Sequence, residues 1–323
     1  MKRFFAILTL SIVVISLLGC NLPRAETPVP TEAEEPCLGP ALTIGDISDD
    51  PDEVISSMLP FANYLAEHLA AFGYACGKVI VPDTVDEIVE LINNEEVDIY
   101  LDSMYPATLV SNATGARPIL RRWRNCDPDY YSVIFTTTDS GITAVEDLPG
   151  HMIAMDRSYS TSGFVLPAVY LLDHGLNLVV KDSYDEPVAE DEVGIYFSLD
   201  DKNTLNLVLE GKASAGATDD YFFGKWEQEA PGKLVNLAQT VSMPRQAVLV
   251  RPGLGGDLQD AIKDELANAH LNPVGRSILD QAAQTCRFDD TPDGIEAAFE
   301  QMRAMHTKIE EIPGWQDAFN EGH

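Results

Sequence analysis

Positive charge is scarce in this chain of 323 residues: 21 lysines and arginines stand against 52 aspartates and glutamates, for a formal net charge of −31. A surface of that sign repels nucleic acid and anionic lipid headgroups, so neither is expected as a partner. A small anionic ligand stays open, because backbone dipoles and hydroxyls act at contact distance while remote charges are screened within about 8 to 10 Å. Histidine is sparse as well: the six residues have no ligand spacing, and the five cysteines match no compact zinc pattern. No metal and no cofactor is expected. No internal repeat stands out, and the only long apolar run is Phe4 to Leu18.

That run follows a short basic start, Lys2-Arg3, and leads into Leu17-Leu18-Gly19-Cys20. The pattern reads as a lipoprotein signal over residues 1–20, with Cys20 as the lipid-accepting residue and new N-terminus. An ordinary secretory signal with an incidental cysteine is the alternative; either one exports the protein. The run is too short and too N-terminal for a convincing spanning helix. Residues 21–36 hold four prolines, four glutamates and no apolar periodicity, the composition of an extended tether. The expected location is extracytoplasmic, anchored to the membrane by the lipid, and a monomer is expected.

The remaining cysteines, Cys37, Cys76, Cys126 and Cys286, are even in number, as an oxidising compartment favours. Cys37 precedes the strand-like Ala41 to Ile47, and Cys76 precedes Lys78 to Pro82. If those strands are parallel neighbours, both cysteines meet at one sheet edge, which leaves Cys126 to pair with Cys286.

Along the chain, strand-like and helix-like runs alternate, which implies an α/β fold with mostly parallel sheets covered by helices. Ala41 to Ile47 precedes a helix over Asp52 to Phe72, Lys78 to Val81 precedes a helix over Val85 to Asn93, and Val97 to Leu101 reads as a third strand. Tyr130 to Thr137, Val193 to Phe197, Ala213 to Thr218 and Gln246 to Val250 are further strands, and Leu258 to His323 reads as helical. Two crossing strands around a middle segment predict two domains, with the first lobe built from residues 37–138 and 242–323 and the second from 139–241. Ligands bind such sheets at the carboxyl ends of strands, here the loops after Ile47, Leu101, Met155 and Thr218.

One of those loops is Asp156-Arg157-Ser158-Tyr159-Ser160-Thr161-Ser162-Gly163. It stands between the strand-like His151 to Met155 and a run with Phe164, Leu166, Val169, Tyr170 and Leu172 at helical spacing. The first turn of a helix offers backbone N–H groups without acceptors and a partial positive charge, and the hydroxyls add donors. A tetrahedral oxoanion fits such a cradle without a lysine. The plainer reading makes Ser160 an N-cap and nothing more.

With Leu166-Pro167, this stretch resembles the phosphonate/phosphite/phosphate-binding proteins of ABC transporters, which are type II periplasmic binding proteins. Further matching runs are Pro60-Phe61-Ala62-Asn63-Tyr64-Leu65, Gly115-Ala116-Arg117-Pro118, Tyr130-Tyr131-Ser132-Val133-Ile134, Asp139-Ser140-Gly141-Ile142 and Ala215-Gly216-Ala217-Thr218-Asp219-Asp220. The resemblance implies a two-domain clamshell that captures a small oxoanion and delivers it to an ABC permease. It carries the family's Ser-Thr-Ser clamp onto Ser160, Thr161 and Ser162, and the contact after the third strand onto Asp102, Ser103 and Tyr105. Asp201 stands where a histidine is common, and Ser214 where an acid usually opens the Ala-Gly-Ala run.

A carboxylate beside a dianion is costly unless paired. Asp102 therefore pairs with an ammonium group on the ligand, shares a proton with the anion, or accepts hydrogen bonds from the protein in its own turn. Tyr105, Tyr130 and Tyr131 could wall the cleft, with Tyr105 and Tyr131 the candidates to line it, or they could pack against the core with their polar tips wet. Asp219 is a candidate ligand contact, and Asp219-Asp220 also admits a hydrolase reading as adjacent acids. Against it, alternation in an extended segment turns only one of them toward a given cleft. Arg121, Arg122 and Arg124 look like a basic counter-ion patch, but Trp123 interrupts them and the segment leads into a hinge-like strand, which favours surface salt bridging. A lipoprotein that senses its ligand and acts on a membrane receptor is the remaining alternative to transport.

Overall fold

Short apolar runs such as Leu42-Thr43-Ile44 and Ile153-Ala154-Met155 are buried on both faces, the pattern of strands covered by helices on each side. In the computed structural model, which describes residues 37–48 and 50–322, they form two six-stranded sheets. The expected signal, Cys20 and the tether lie outside the described residues. No described helix is long and apolar enough to cross a membrane.

The first sheet runs in the order β14 (Phe288–Asp289), β4 (Arg117–Arg122), β13 (Gln246–Val250), β3 (Ile99–Asp102), β1 (Ala41–Gly45) and β2 (Cys76–Ile80). The last three are parallel, and β13 is antiparallel to both of its neighbours. The second sheet runs β11 (Leu234–Gln239), β6 (Ser132–Thr137), β10 (Ala215–Asp219), β7 (Met152–Met155), β9 (Val193–Phe197) and β8 (Leu178–Val180). Here β10, β7, β9 and β8 are parallel, while β6 runs antiparallel to both of its neighbours, β10 and β11. Helices α1 (Pro51–His68), α2 (Val85–Asn93) and α3 (Met104–Thr114) serve the first sheet, and α4 (Leu166–Asp173), α5 (Asp201–Leu209) and α6 (Asp220–Glu229) the second. Local chemistry sets their starts: Asp50 accepts from the Glu53 N–H ahead of Pro51, and Thr84 with Glu87 forms a reciprocal capping box.

The crossing between lobes is shorter than Tyr130 to Thr137. That run breaks at Tyr131, so β5 (Asp129–Tyr130) pairs with β12 (Met243–Pro244) as a two-stranded link, while β6 belongs wholly to the second sheet. The C-terminal third is helical as α7 (Gly256–Asn268), α8 (Pro273–Gln281), α9 (Ile295–Ile309) and α10 (Trp315–Asn320), with β14 inserted. It does not stay with the first lobe. The Val180 N–H donates to Pro313 O at 3.0 Å, and Trp315 Nε1 donates to Ser158 O at 3.4 Å. Residues 290–320 therefore cross to the second lobe, a third covalent connection beyond the two strands. One apolar core runs through both lobes, from Met104 and Val110 of α3 through Phe299 and Met302 of α9 to Phe164 and Leu171.

Disulfides join Cys37 to Cys76 and Cys126 to Cys286. The first bridges the start of β1 to that of β2, whose parallel register places Ala41 beside Cys76. The arginine run departs from the surface reading. Arg121 does form ion pairs, to Asp129 and Asp289, but Arg122 is 1% exposed. Strand β4 lies between β13 and β14, so its end is covered: the Arg122 guanidinium donates to Thr285 Oγ1, Gln246 Oε1 and Ala282 O.

Candidate functional site

The C-terminal ends of β3, β7 and β10 and the link before β13 converge on a cavity of about 180 Å³. Its walls include Ser103 from the first lobe, Ser160, Thr161, Ser162, Asp201 and Asp219 from the second, and Arg245 and Tyr130 from the link. Arg124, Asn125, Phe222 and Gln246 complete it.

The hydroxyl loop leads into a π turn over Thr161–Val165, closed by the Val165 N–H donating to Ser160 O at 3.0 Å, before α4 begins. Gly163 is obligatory, since a Cβ there would lie 2.3 Å from that of Asp156. Ser160 is indeed an N-cap, with its Oγ accepting from the Gly163 N–H at 3.1 Å, and it also bonds the Asp156 carboxyl. Thr161, 1% exposed, joins the lobes: its Oγ1 accepts from the Tyr105 N–H at 2.8 Å and donates to Ser103 Oγ at 3.1 Å. The buried Tyr130 hydroxyl bonds Thr161 and Ser162. The loop thus caps its helix through Ser160 and lines the cavity at the same time.

Asp102 lies behind this wall. Its carboxyl accepts from the Tyr100 hydroxyl and the Ser103 N–H, each at 2.6 Å, and from the Ser103 hydroxyl. This matches the third of its possible roles, and it holds Ser103 in place. Burial, with the Asp46 charge added, pushes its pKa up to about 7. Tyr105 reaches the cleft through its backbone only. Its side chain is wholly buried, with the hydroxyl 2.8 Å from His306 Nδ1 on α9. Tyr131 packs against the apolar cluster that holds Val133, Phe135 and Trp226, and Tyr130 takes the cavity wall.

Asp219 uses both oxygens. Oδ1 accepts from the Phe222 N–H at 2.8 Å and caps α6, and Oδ2 lies 2.9 Å from Arg245 Nη1. Asp220 opens α6 rather than extending the strand. Among the described residues no group of three or more His, Cys, Asp or Glu is placed to hold a metal ion. Asp201 Oδ1 accepts from the Thr218 hydroxyl at 2.6 Å. Its pKa is pushed up to about 8 by burial and the neighbouring Asp156 charge.

Arg245 is the residue that sequence reasoning missed. It sits between β12 and β13, is 6% exposed, and holds its guanidinium 4.5 Å over the Tyr130 ring. Burial alone would weaken the cation, but the charges of Asp219, Tyr130 and Asp220 and the Asp219 hydrogen bond together more than restore it. A single arginine inside an interlobe strand was the available signal. Arg124 is exposed and lines the cavity at its mouth, where Asn125 and Cys126 turn the chain at positive φ.

Solved structures share this architecture. A Xanthomonas citri protein solved with chloride has a TM-score of 0.78 at 22% identity, covering 84% of this chain and 98% of that one. PhnD1 of Prochlorococcus marinus in complex with methylphosphonate has a TM-score of 0.61 at 17% identity, covering 84% and 98%. A binding-protein component of an ABC phosphonate transporter from Pseudomonas aeruginosa has 0.57 at 15%, covering 84% and 99%. These likenesses carry the fold, a type II periplasmic binding protein. The model of the family described as "ABC transporter, phosphonate, periplasmic substrate-binding protein" matches residues 47–293. With that match spanning most of the chain, the protein belongs to the periplasmic substrate-binding proteins of phosphonate ABC transporters.

Proposed function

We propose that this protein is an extracytoplasmic solute-binding lipoprotein that captures a small phosphorus oxoanion, a phosphonate, phosphite or phosphate, between its lobes and delivers it to an ABC permease. The observation that carries the reading is the cavity itself. It gathers the Ser160-Thr161-Ser162 loop, the Tyr130 hydroxyl and the Arg245 guanidinium around a volume that suits a single small anion. Hydroxyl and guanidinium donors in a buried site give charge-assisted hydrogen bonds, about twice as strong as neutral ones. Arg245 also supplies the positive charge that the acidic exterior lacks. Cys20 is proposed as the lipid anchor, and ligand contact from both lobes as the signal to the permease.

Calorimetric titration of the Cys37–His323 unit with phosphate, phosphite, methylphosphonate and aminoethylphosphonate tests the ligand class. Saturable binding of at least one, lost when Ser160, Thr161 and Ser162 are all replaced by alanine, is the expected result. Affinity unchanged in that triple variant refutes it. For the anchor, Cys20→Ala should release the protein from the membrane fraction of expressing cells.

A further inference from the structure

Two aspartates face the cavity, and the fold treats them differently. Asp219 has a cation at 2.9 Å and the Phe222 N–H on its other oxygen. Asp201 has neither. It opens α5 one residue after the cap, so the Asn203 N–H goes to Asp200 and not to it. Its Oδ1 is held by the Thr218 hydroxyl, and among the described residues no hydrogen bond reaches its other oxygen.

The charged groups that act on Asp201 are mostly carboxylates. Asp156 comes from the loop after β7, Asp219 from the end of β10 and Asp200 from the same turn. The cations that share the cavity are Arg245, which also forms the ion pair with Asp219, and Arg124 at the mouth. An ionised Asp201 would therefore add a negative charge to a cavity built for an anion. When two acids in one site have unequal environments, one stays ionised and the other keeps its proton.

We propose that Asp201 is a proton-carrying donor of this site: steadied by Thr218, it gives a hydrogen bond from its free oxygen to an oxygen of the bound oxoanion, so that the complex retains one proton between them. This rests on the oxoanion reading above. Burial and the Asp156 charge, which lift this carboxyl to about 8, agree with it. A neutral acid at ordinary pH acts as a donor, whereas above that range it becomes a repelling charge.

The test is calorimetry on the whole protein and its D201N variant, from about pH 6 to about pH 9.5, with methylphosphonate and with methanesulfonate. The sulfonate has no proton of its own to lose in this range, so its profile reports the protein alone. Asparagine keeps the shape, the acceptor for Thr218 and a donor that does not titrate. Wild-type affinity should fall by about tenfold per pH unit above about 8, beyond any fall seen in D201N. At about pH 9 the wild type should take up a proton on binding, measured from the dependence of heat on buffer ionisation enthalpy, and D201N should take up none. Identical pH profiles and proton uptake in the two proteins, each with the native circular dichroism spectrum, overturn the role of Asp201 while leaving the oxoanion reading intact. Failure of both probes and of phosphate to bind at every pH overturns both.

Discussion

Replacing Thr161 with valine removes a hydroxyl and almost no volume, and the structure says what that should do. Thr161 Oγ1 accepts the Tyr105 N–H from the opposite lobe at 2.8 Å and donates to Ser103 Oγ at 3.1 Å. Valine leaves the Tyr105 N–H buried without an acceptor, a loss of about 1–3 kcal/mol. Water can satisfy that N–H once the lobes part, so the penalty falls on the closed form. Ligand that binds the closed form should then bind about 5- to 150-fold more weakly. Thr161→Ser keeps the hydroxyl and should stay within a few-fold of wild type. Calorimetry with methylphosphonate measures the affinities, and small-angle scattering reads the closure. Unchanged affinity and unchanged radius of gyration in the valine variant would refute the argument that this hydroxyl latches the lobes.

Other consequences follow from the same site. The buried Arg245–Asp219 pair should couple strongly: Arg245→Met and Asp219→Asn should each destabilise by about 3–5 kcal/mol in urea unfolding, while the double variant should lose far less than their sum. Additive losses would argue against the pair. Reducing the Cys126–Cys286 bridge, which closes a separation of 160 residues, should cost about 3–5 kcal/mol and free the Arg124-Asn125 segment at the cavity mouth. Melting with and without reductant, with each bridge removed in turn by serine substitution, measures it. The buried acids invert the usual acid sensitivity. Asp46, Asp102 and Asp201 are lifted to about 6, 7 and 8, above their value near 4 when unfolded. The folded state therefore binds more protons, and their stabilising contribution is complete below about pH 4 and lost as pH rises to about 8. Asp102→Asn should narrow the difference in melting temperature between about pH 5 and about pH 8; an unaltered difference would count against that assignment.

Much of the architecture follows from local chemistry. The strand at Gln246–Val250 and the helix at Val85–Asn93 stand where period and capping residues place them, because an apolar run with a Thr84-Glu87 box has few other ways to satisfy its backbone. The position of the hydroxyl loop was legible for a related reason: small hydroxyl residues and a glycine stand between a strand and a helix, and there the loop lines the cavity. The cysteine pairing was legible from the strand order alone. Side-chain direction was not. Tyr130 and Tyr131 are equal in composition, and only the pairing of β5 with β12, followed by the break before β6, decides which one faces the ligand cavity. Arg245 became a site residue because folding brings it onto Asp219 and Tyr130, which are 26 and 115 positions away in the sequence. Arg122 became a core residue because β13 and β14 flank it. Nor could helical periodicity show that α9 and α10 pack on both lobes, since an amphipathic face records that it will be buried and not against what. Sequence determined the class of fold and the place of the hydroxyl loop between β7 and α4. Tertiary structure decided the charge around the cavity, by setting Asp219 against Arg245 and leaving Asp201 with the Thr218 hydroxyl.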